Sequence, residues 1–308
     1  MALVACKRRP AVHDATPAAA APAPELSDSR DRVPAGPIGT DTIRIAFDIA
    51  VPSTVDPVAA AARVMPLLRT TRPVASGTAE SPADALVVTP WAATPDDARA
   101  IAAATASSDA RLAAATGRLG LEAAGTLATS AALYRDLAAA AATAATAVDG
   151  WVLPADGRAY TPKQWSAAPP VLDVRFLVSL EHRAGAAATV GMTHLGLPDL
   201  SLLDVPPDAL ATADLLVLSA AQALHQTRAI GPDSSLTIEL ASLDPAWAAR
   251  AASAARAAGQ PGRAVVTLAP RALPDLPGDR LTIVLPAPRR AAVITALFGP
   301  TPAALPGL

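Results

Sequence analysis

The chain has 308 residues, of which 52% are hydrophobic, 17% charged and only 3% aromatic, and its formal net charge is -2. That balance provides no general field to attract nucleic acid or an anionic membrane, and a single cysteine excludes an intrachain disulfide framework or a thiolate metal cluster. Thirty-one prolines argue against one long helical bundle, and much of the apolar fraction is alanine, so cohesion must rest on a limited set of Leu, Val, Ile and large rings.

Residues 1–40 are rich in Pro, Ala and small polar side chains. Such a segment cannot offset its ordering entropy by burial, so the sequence predicts a disordered tail or tether, with the folded part running over residues 41–300. Within the tail, Leu3-Val4-Ala5-Cys6 resembles a bacterial lipobox, and a flexible stretch after a lipidated Cys6 suits an anchored module. A signal peptide also needs a basic region and a 7–15-residue apolar stretch ahead of the cysteine, and only Met1–Ala5 precede it here. Two expectations follow: a cytoplasmic protein, or one lipid-anchored in the bacterial envelope whose true start lies upstream. No apolar run approaches the ~18–20 residues of a membrane span.

From residue 42 onward, Ile43, Ile45, Phe47 and Ile49 alternate as one face of a strand. Residues 58–68 have helical spacing, with Pro66 as a breaker. Residues 85–91 read as a short strand. Thr94, Pro95, Asp96 and Asp97 then form a helix-start signal of N-cap, first-turn proline and acidic pair. Two Ala-rich helical stretches follow, over residues 97–116 and 126–148, and Gly150 ends the second. Residues 150–154 read as a strand, and Thr161-Pro162 opens a helical turn. Pro169-Pro170 is the sharpest internal breaker and divides two lobes near residue 170. Beyond it, residues 172–180 read as a central strand with Phe176 in its core, and residues 188–192 as its antiparallel neighbour. A helix over 207–225, a strand over 235–240, a helix over 246–258, strands over 263–268 and 281–285 and a terminal helix over 291–298 complete the reading. Strand pairs mixed with Ala-rich helices indicate an α+β fold, a mixed or antiparallel sheet covered by helices.

The search for chemistry yields few groups. No two histidines stand at ligand spacing on one helix, so no metal and no cofactor is expected. Gly117-Arg118-Leu119-Gly120 lacks the spacing and context of a phosphate loop. Glu181 and His182 are adjacent, so a strand turns them to opposite faces. Asp48, Asp173, Asp199 and Asp204 are scattered carboxylates. Trp151, Tyr160 and Trp165 cluster in a chain poor in rings; they read first as core filling, and otherwise as the rim of a groove with Arg158 and Lys163 beside it. His194 is distinctive because it lies in Thr189-Val190-Gly191-Met192-Thr193-His194-Leu195-Gly196-Leu197-Pro198-Asp199-Leu200, where two glycines and a proline imply a defined bend.

That run resembles the uncharacterised bacterial family catalogued as domain of unknown function 4261. The family tends to carry a similar threonine, glycine-hydrophobic, small-loop, glycine, proline, acidic, leucine sequence. The Ala-rich helix ahead of Gly150-Trp151 is similar in order. An aromatic usually stands where this chain has Leu195, and a glutamate where it has Asp199. The resemblance implies an α+β domain and carries no catalytic set. The sequence therefore points to a non-enzymatic accessory or protein-interaction domain, with an unknown protein as partner. The alternatives are a small-ligand-binding or hydrolase-like enzyme using loop carboxylates and His194, or the envelope module tethered through Cys6. The candidate ligand or partner residues are His194, Asp199, Trp151 and Trp165.

Overall fold

The structure, a computed structural model, describes residues 32–68, 73–77, 85–167, 172–183, 185–242, 253, 255–270 and 279–300. After a two-residue strand β1 (Gly36–Pro37), the alternation of Ile43, Ile45, Phe47 and Ile49 produces β2 (Thr42–Val51), whose four large side chains are buried on one face. Asp56 caps α1 (Pro57–Val64), its carboxylate accepting the Ala59 N–H at 2.8 Å, and Pro57 stands in the first turn where its missing N–H costs nothing. The short β3 (Val74–Ser76) pairs parallel with β4 (Leu86–Ala92). Pro90 lies inside β4, beyond the end of that pairing, where no ladder donor is required of it. Thr94 and Asp97 form the full capping box of α2 (Pro95–Ala104).

The expected helix over 97–116 breaks. Thr105 ends α2, Ala106 takes a left-handed conformation, and Asp109 caps a separate turn, α3 (Ala110–Ala113). Next comes an element the sequence reading missed, β5 (Gly117–Thr126), which pairs with β2 along its full length and with β4 on its other side. It has two-residue alternation in Leu119, Leu121 and Ala123, all buried, but its glycines and alanines carry almost no strand propensity. The Ala-rich α4 (Ser130–Val148) and β6 (Trp151–Leu153) follow. The sheet order is β3-β4-β5-β2-β6. Leaving β3 and the inserted α2 and α3 aside, this is a β-α-β-β-α-β unit with α1 and α4 packed together on one face. Ala140, Ala141, Ala144 and Ala145 are buried where α4 approaches β2.

Residues 172–180 do not form the central strand expected of them. The Asp173 carboxylate accepts the Arg175 N–H and pairs with its guanidinium, and Gln222 Oε1 takes the Val174 N–H at 3.0 Å. Side chains thus satisfy the backbone that a ladder would have paired, and Val174–Phe176 is a 3₁₀ turn. Before it stands the single turn α5 (Pro162–Trp165), capped by Thr161. After it come the edge strand β7 (Ser179–Arg183) and β8 (Ala186–Val190), paired antiparallel. A second missed strand, β9 (Asp199–Leu202), starts within the bend around His194.

The long α6 (Leu210–Thr227) is buried without a break from Leu215 to Leu224, because the second sheet covers one side and the segment bonded to Gln222 another. β10 (Ala229–Ile230), β11 (Ser235–Glu239), β12 (Arg263–Pro270), β13 (Arg280–Val284) and α7 (Ala287–Phe298) complete the described chain. This sheet has the order β11-β12-β13-β9-β8-β7, with β13 parallel to β9. Most of the expected helix over 246–258 lies outside the described residues. The architecture is α+β, with antiparallel and mixed sheets and several helices. Strands up to Leu153 belong to one sheet and those from Ser179 to the other, apart from the β1–β10 pair.

Two features join the halves. Five rings form one cluster: Phe47 from β2, Tyr134 from α4, Trp165 from α5, and Tyr160 and Phe176 from the connecting segment. Centroids are 5.0 Å apart for Phe47–Trp165 and 5.4 Å for Trp165–Phe176, both edge-on. The other feature corrects the expected boundary at Asp41. Residues 33–40 run as a strap across the second half: the Val33 N–H donates to Ser234 Oγ, β1 pairs with β10, and the Thr40 N–H donates to the Gly196 carbonyl. Composition argues for disorder here, but backbone hydrogen bonds at both ends of the strap satisfy the chain instead. Cys6 lies outside the described residues. No helix among those described is long and apolar enough to cross a membrane.

Two expected outcomes follow from this packing. Gly196 has φ +68°, and a Cβ there would sit 2.6 Å from the Thr40 carbonyl and 2.8 Å from that of Thr42. Gly196→Ala should therefore cost about 2 kcal/mol or more, read as a lower urea midpoint with an unchanged slope. His225 is half-buried near the end of α6, where desolvation first and Arg228 second lower its pKa to about 4, and its buried Nδ1 has no partner among the described residues. Unfolded histidine titrates near 6.5, so between those values the unfolded chain holds the extra proton. Stability should decline as pH falls from 6.5 to 4 and level off below, by up to about 3 kcal/mol. Denaturant melts across that range should show the decline in the native protein and lose it in His225→Gln.

Candidate functional site

The face of the first sheet opposite α1 and α4 carries the site. On β2, Asp48 alternates away from the buried isoleucines, and on β5, Arg118 and Gly120 alternate away from Leu119 and Leu121. Asp48 stands opposite Gly120, and Trp91 of β4 stands opposite Arg118. Because Gly120 has no side chain, the Trp91 indole reaches across it, and Nε1 donates to Asp48 Oδ1 at 3.4 Å. A Cβ at position 120 would lie 3.4 Å from that oxygen and 3.7 Å from Nε1. α2 supplies Asp97 and Ile101 to one wall. The second half supplies the other wall through Ser179, Gly191 and His194. The result is an open cleft of about 390 Å³ between the two halves.

Its electrostatics are unbalanced. Arg118 is 1% exposed. Its Nη1 donates to the Gly117 carbonyl at 2.9 Å and to that of Ala115, while Nη2 has no partner among the described residues. Asp48 and Asp97 act on this guanidinium through space, but neither is ion-paired with it among the described residues. Burial lowers the Arg118 pKa, and the two carboxylates offset this only in part. Burial likewise raises the pKa of Asp48 above the ordinary carboxylate range, against the smaller effects of Trp91 and Arg118. Two opposite charges thus face one cleft, both partly stripped of water, and neither neutralises the other by contact.

A second cavity of about 320 Å³ adjoins the first at Ala155 and Ser179. Asp156 accepts the Tyr160 hydroxyl and the Arg158 N–H, and Arg175 pairs with Asp173. Burial still raises the Asp156 pKa.

The residues singled out by sequence do not converge. His194 is exposed at the rim of the cleft. Asp199 is buried inside the bend: its Oδ1 accepts the Thr189 hydroxyl at 2.9 Å and the Met192 N–H at 3.0 Å. It lines neither cavity, so the carboxylate five residues beyond His194 holds the shape of the bend. Trp151 is 6% exposed, packed with Leu112 and Leu153, and Arg111 stacks on it at 5.3 Å. Trp165 lies in the ring cluster and donates its Nε1–H to the Ala138 carbonyl at 3.0 Å. His182 pairs through Nε2 with Asp214 of α6 at 2.8 Å, a partner that only the tertiary structure supplies. Among the described residues, no three His, Cys, Asp or Glu side chains come together as a metal site.

Sequence reasoning passed over Arg118 and Trp91, and it treated Asp48 as one scattered carboxylate. A signal was present: an arginine between two glycines in an alternating run, and a lone acid within the apolar stretch Ile45–Val51.

Because its charge is disfavoured by burial, Asp48 holds its proton more tightly folded than unfolded, so folding stability from this group decreases as pH rises through its titration. Asp48→Asn is therefore expected to melt above the native protein at pH 7, with the gap closing in acid; equal melting temperatures at pH 7 would contradict this. No family model, curated protein or solved structure matches the chain.

Proposed function

We propose that this chain is a non-enzymatic accessory domain that binds a small polar molecule in the cleft over Asp48 and Arg118. The observation that carries the reading is the buried guanidinium of Arg118, whose Nη2 lacks a partner among the described residues, in a cleft that also holds the desolvated Asp48. A buried donor left without an acceptor costs about 1–3 kcal/mol, more when charged. A ligand acceptor recovers that cost. The cleft size suits a small ligand, and Trp91, 42% exposed, offers an indole face at its mouth. His194 and the glycine-flanked bend form a rim that a partner protein or a change in ligand occupancy reaches from outside.

The same proposal includes a place in the family of domain of unknown function 4261, supported by the bend over residues 189–200, whose Gly191 and Gly196 both take left-handed backbone. It includes a cytoplasmic location, with envelope anchoring through Cys6 as the alternative, and no nucleic-acid partner, in keeping with the net charge of -2.

The test uses a variant that fills the cleft. Gly120→Val sets methyl groups against Asp48 and the Trp91 indole that crosses Gly120, and so displaces the groups that line the cleft, in a strand where β-branching is favoured. A thermal-shift panel of organic acids, amines, amino acids, sugars and nucleosides should contain at least one class that stabilises the native protein and leaves Gly120→Val unmoved. If no class separates the two proteins while the variant melts cooperatively, the reading is overturned.

A further inference from the structure

Building on the cleft as a ligand site, we propose that its ligand is a zwitterion, a free α-amino acid with an apolar side chain, held by its ammonium group at Asp48 and its carboxylate at Arg118. Asp48 and Arg118 are diagonal neighbours on the paired strands β2 and β5, since Asp48 faces Gly120 and Ala50 faces Arg118. Diagonal neighbours stand about 7–8 Å apart at Cα. That spacing leaves room for a small molecule to hydrogen-bond both heads at once.

Each head has capacity left over. Among the described residues Asp48 accepts only the long bond from Trp91, and Arg118 Nη2 donates to nothing. A lone anion reaching Arg118 meets the repulsion of Asp48 and Asp97. A lone cation reaching Asp48 meets the charge of Arg118. A molecule carrying both charges in the same order compensates both residues and meets neither penalty. The neighbouring cavity differs in this respect, because Asp156 and Arg175 already hold protein partners.

The rest of the lining selects the side chain. Ile101, Leu153, Pro154 and Leu177 contribute apolar surface beside the charged pair. An aliphatic side chain buries there favourably, whereas a charged one loses its hydration without a partner.

The matched probes are L-leucine, 3-methylbutylamine, which lacks the carboxylate, and 4-methylpentanoate, which lacks the amine. Isothermal titration of the native protein should show leucine binding at least tenfold more tightly than either analogue. In Asp48→Asn, leucine should bind no more tightly than 4-methylpentanoate binds the native protein. A single-charge analogue that equals leucine, or leucine affinity unchanged in Asp48→Asn, overturns the zwitterion. If leucine fails but an analogue or another panel compound binds the native protein and spares Gly120→Val, the cleft stands as a binding site and the zwitterion is wrong. If no compound distinguishes native protein from Gly120→Val, both proposals fall together.

Discussion

The contact between Phe47, Tyr134, Tyr160, Trp165 and Phe176 is the interaction the fold depends on. The chain has only three Phe, two Tyr and four Trp, and five of these nine rings meet here. Alanines let α4 approach the first sheet closely but fill little space, so the large rings occupy what remains. The same rings carry the connection between the sheets, because Trp165 and Phe176 lie on the segment that leaves the first sheet and enters the second. Leu177, one residue on, packs against both cores.

Arginine performs the complementary task at the loops. Arg228 ends α6 in a left-handed conformation and donates to the carbonyls of Leu195, Thr40 and Gly196. Arg280 donates to those of Thr189 and Leu200, and Arg290 to those of Leu203 and Asp204. In each case a planar donor fork holds two or more backbone carbonyls at once. The bend that carries His194 is held from three directions: Arg228 outside, the Asp199 carboxylate inside, and the strap through Thr40. The rim of the cleft is thus a defined surface.

Against this background Arg118 stands apart. It also bonds loop carbonyls through Nη1, yet it keeps a second donor without a partner beside an acid that burial disfavours. Proteins retain such uncompensated groups where function demands them, at a cost to stability. Gly120 belongs to the same arrangement, since any side chain there would occupy the space in which Asp48 and Trp91 meet.

The amino-acid sequence by itself determined the elements with a clear period or a local start signal. The isoleucine alternation of β2, the Thr94 cap and the Ala-rich α4 ended before Gly150 all follow from neighbours a few residues apart. Tertiary structure decided the rest. β5 and β9 are strands because long partners flank them, not because their residues prefer extension. Residues 33–40 are engaged because Ser234, Arg228 and Gly196, all remote in sequence, bond their backbone. The separation of His194 from Asp199, and the meeting of Asp48, Trp91 and Arg118, arise from strand register and from the packing of one half on the other. Local periodicity records which face of an element is apolar; which polar residues share a cleft depends on contacts between residues far apart in the chain.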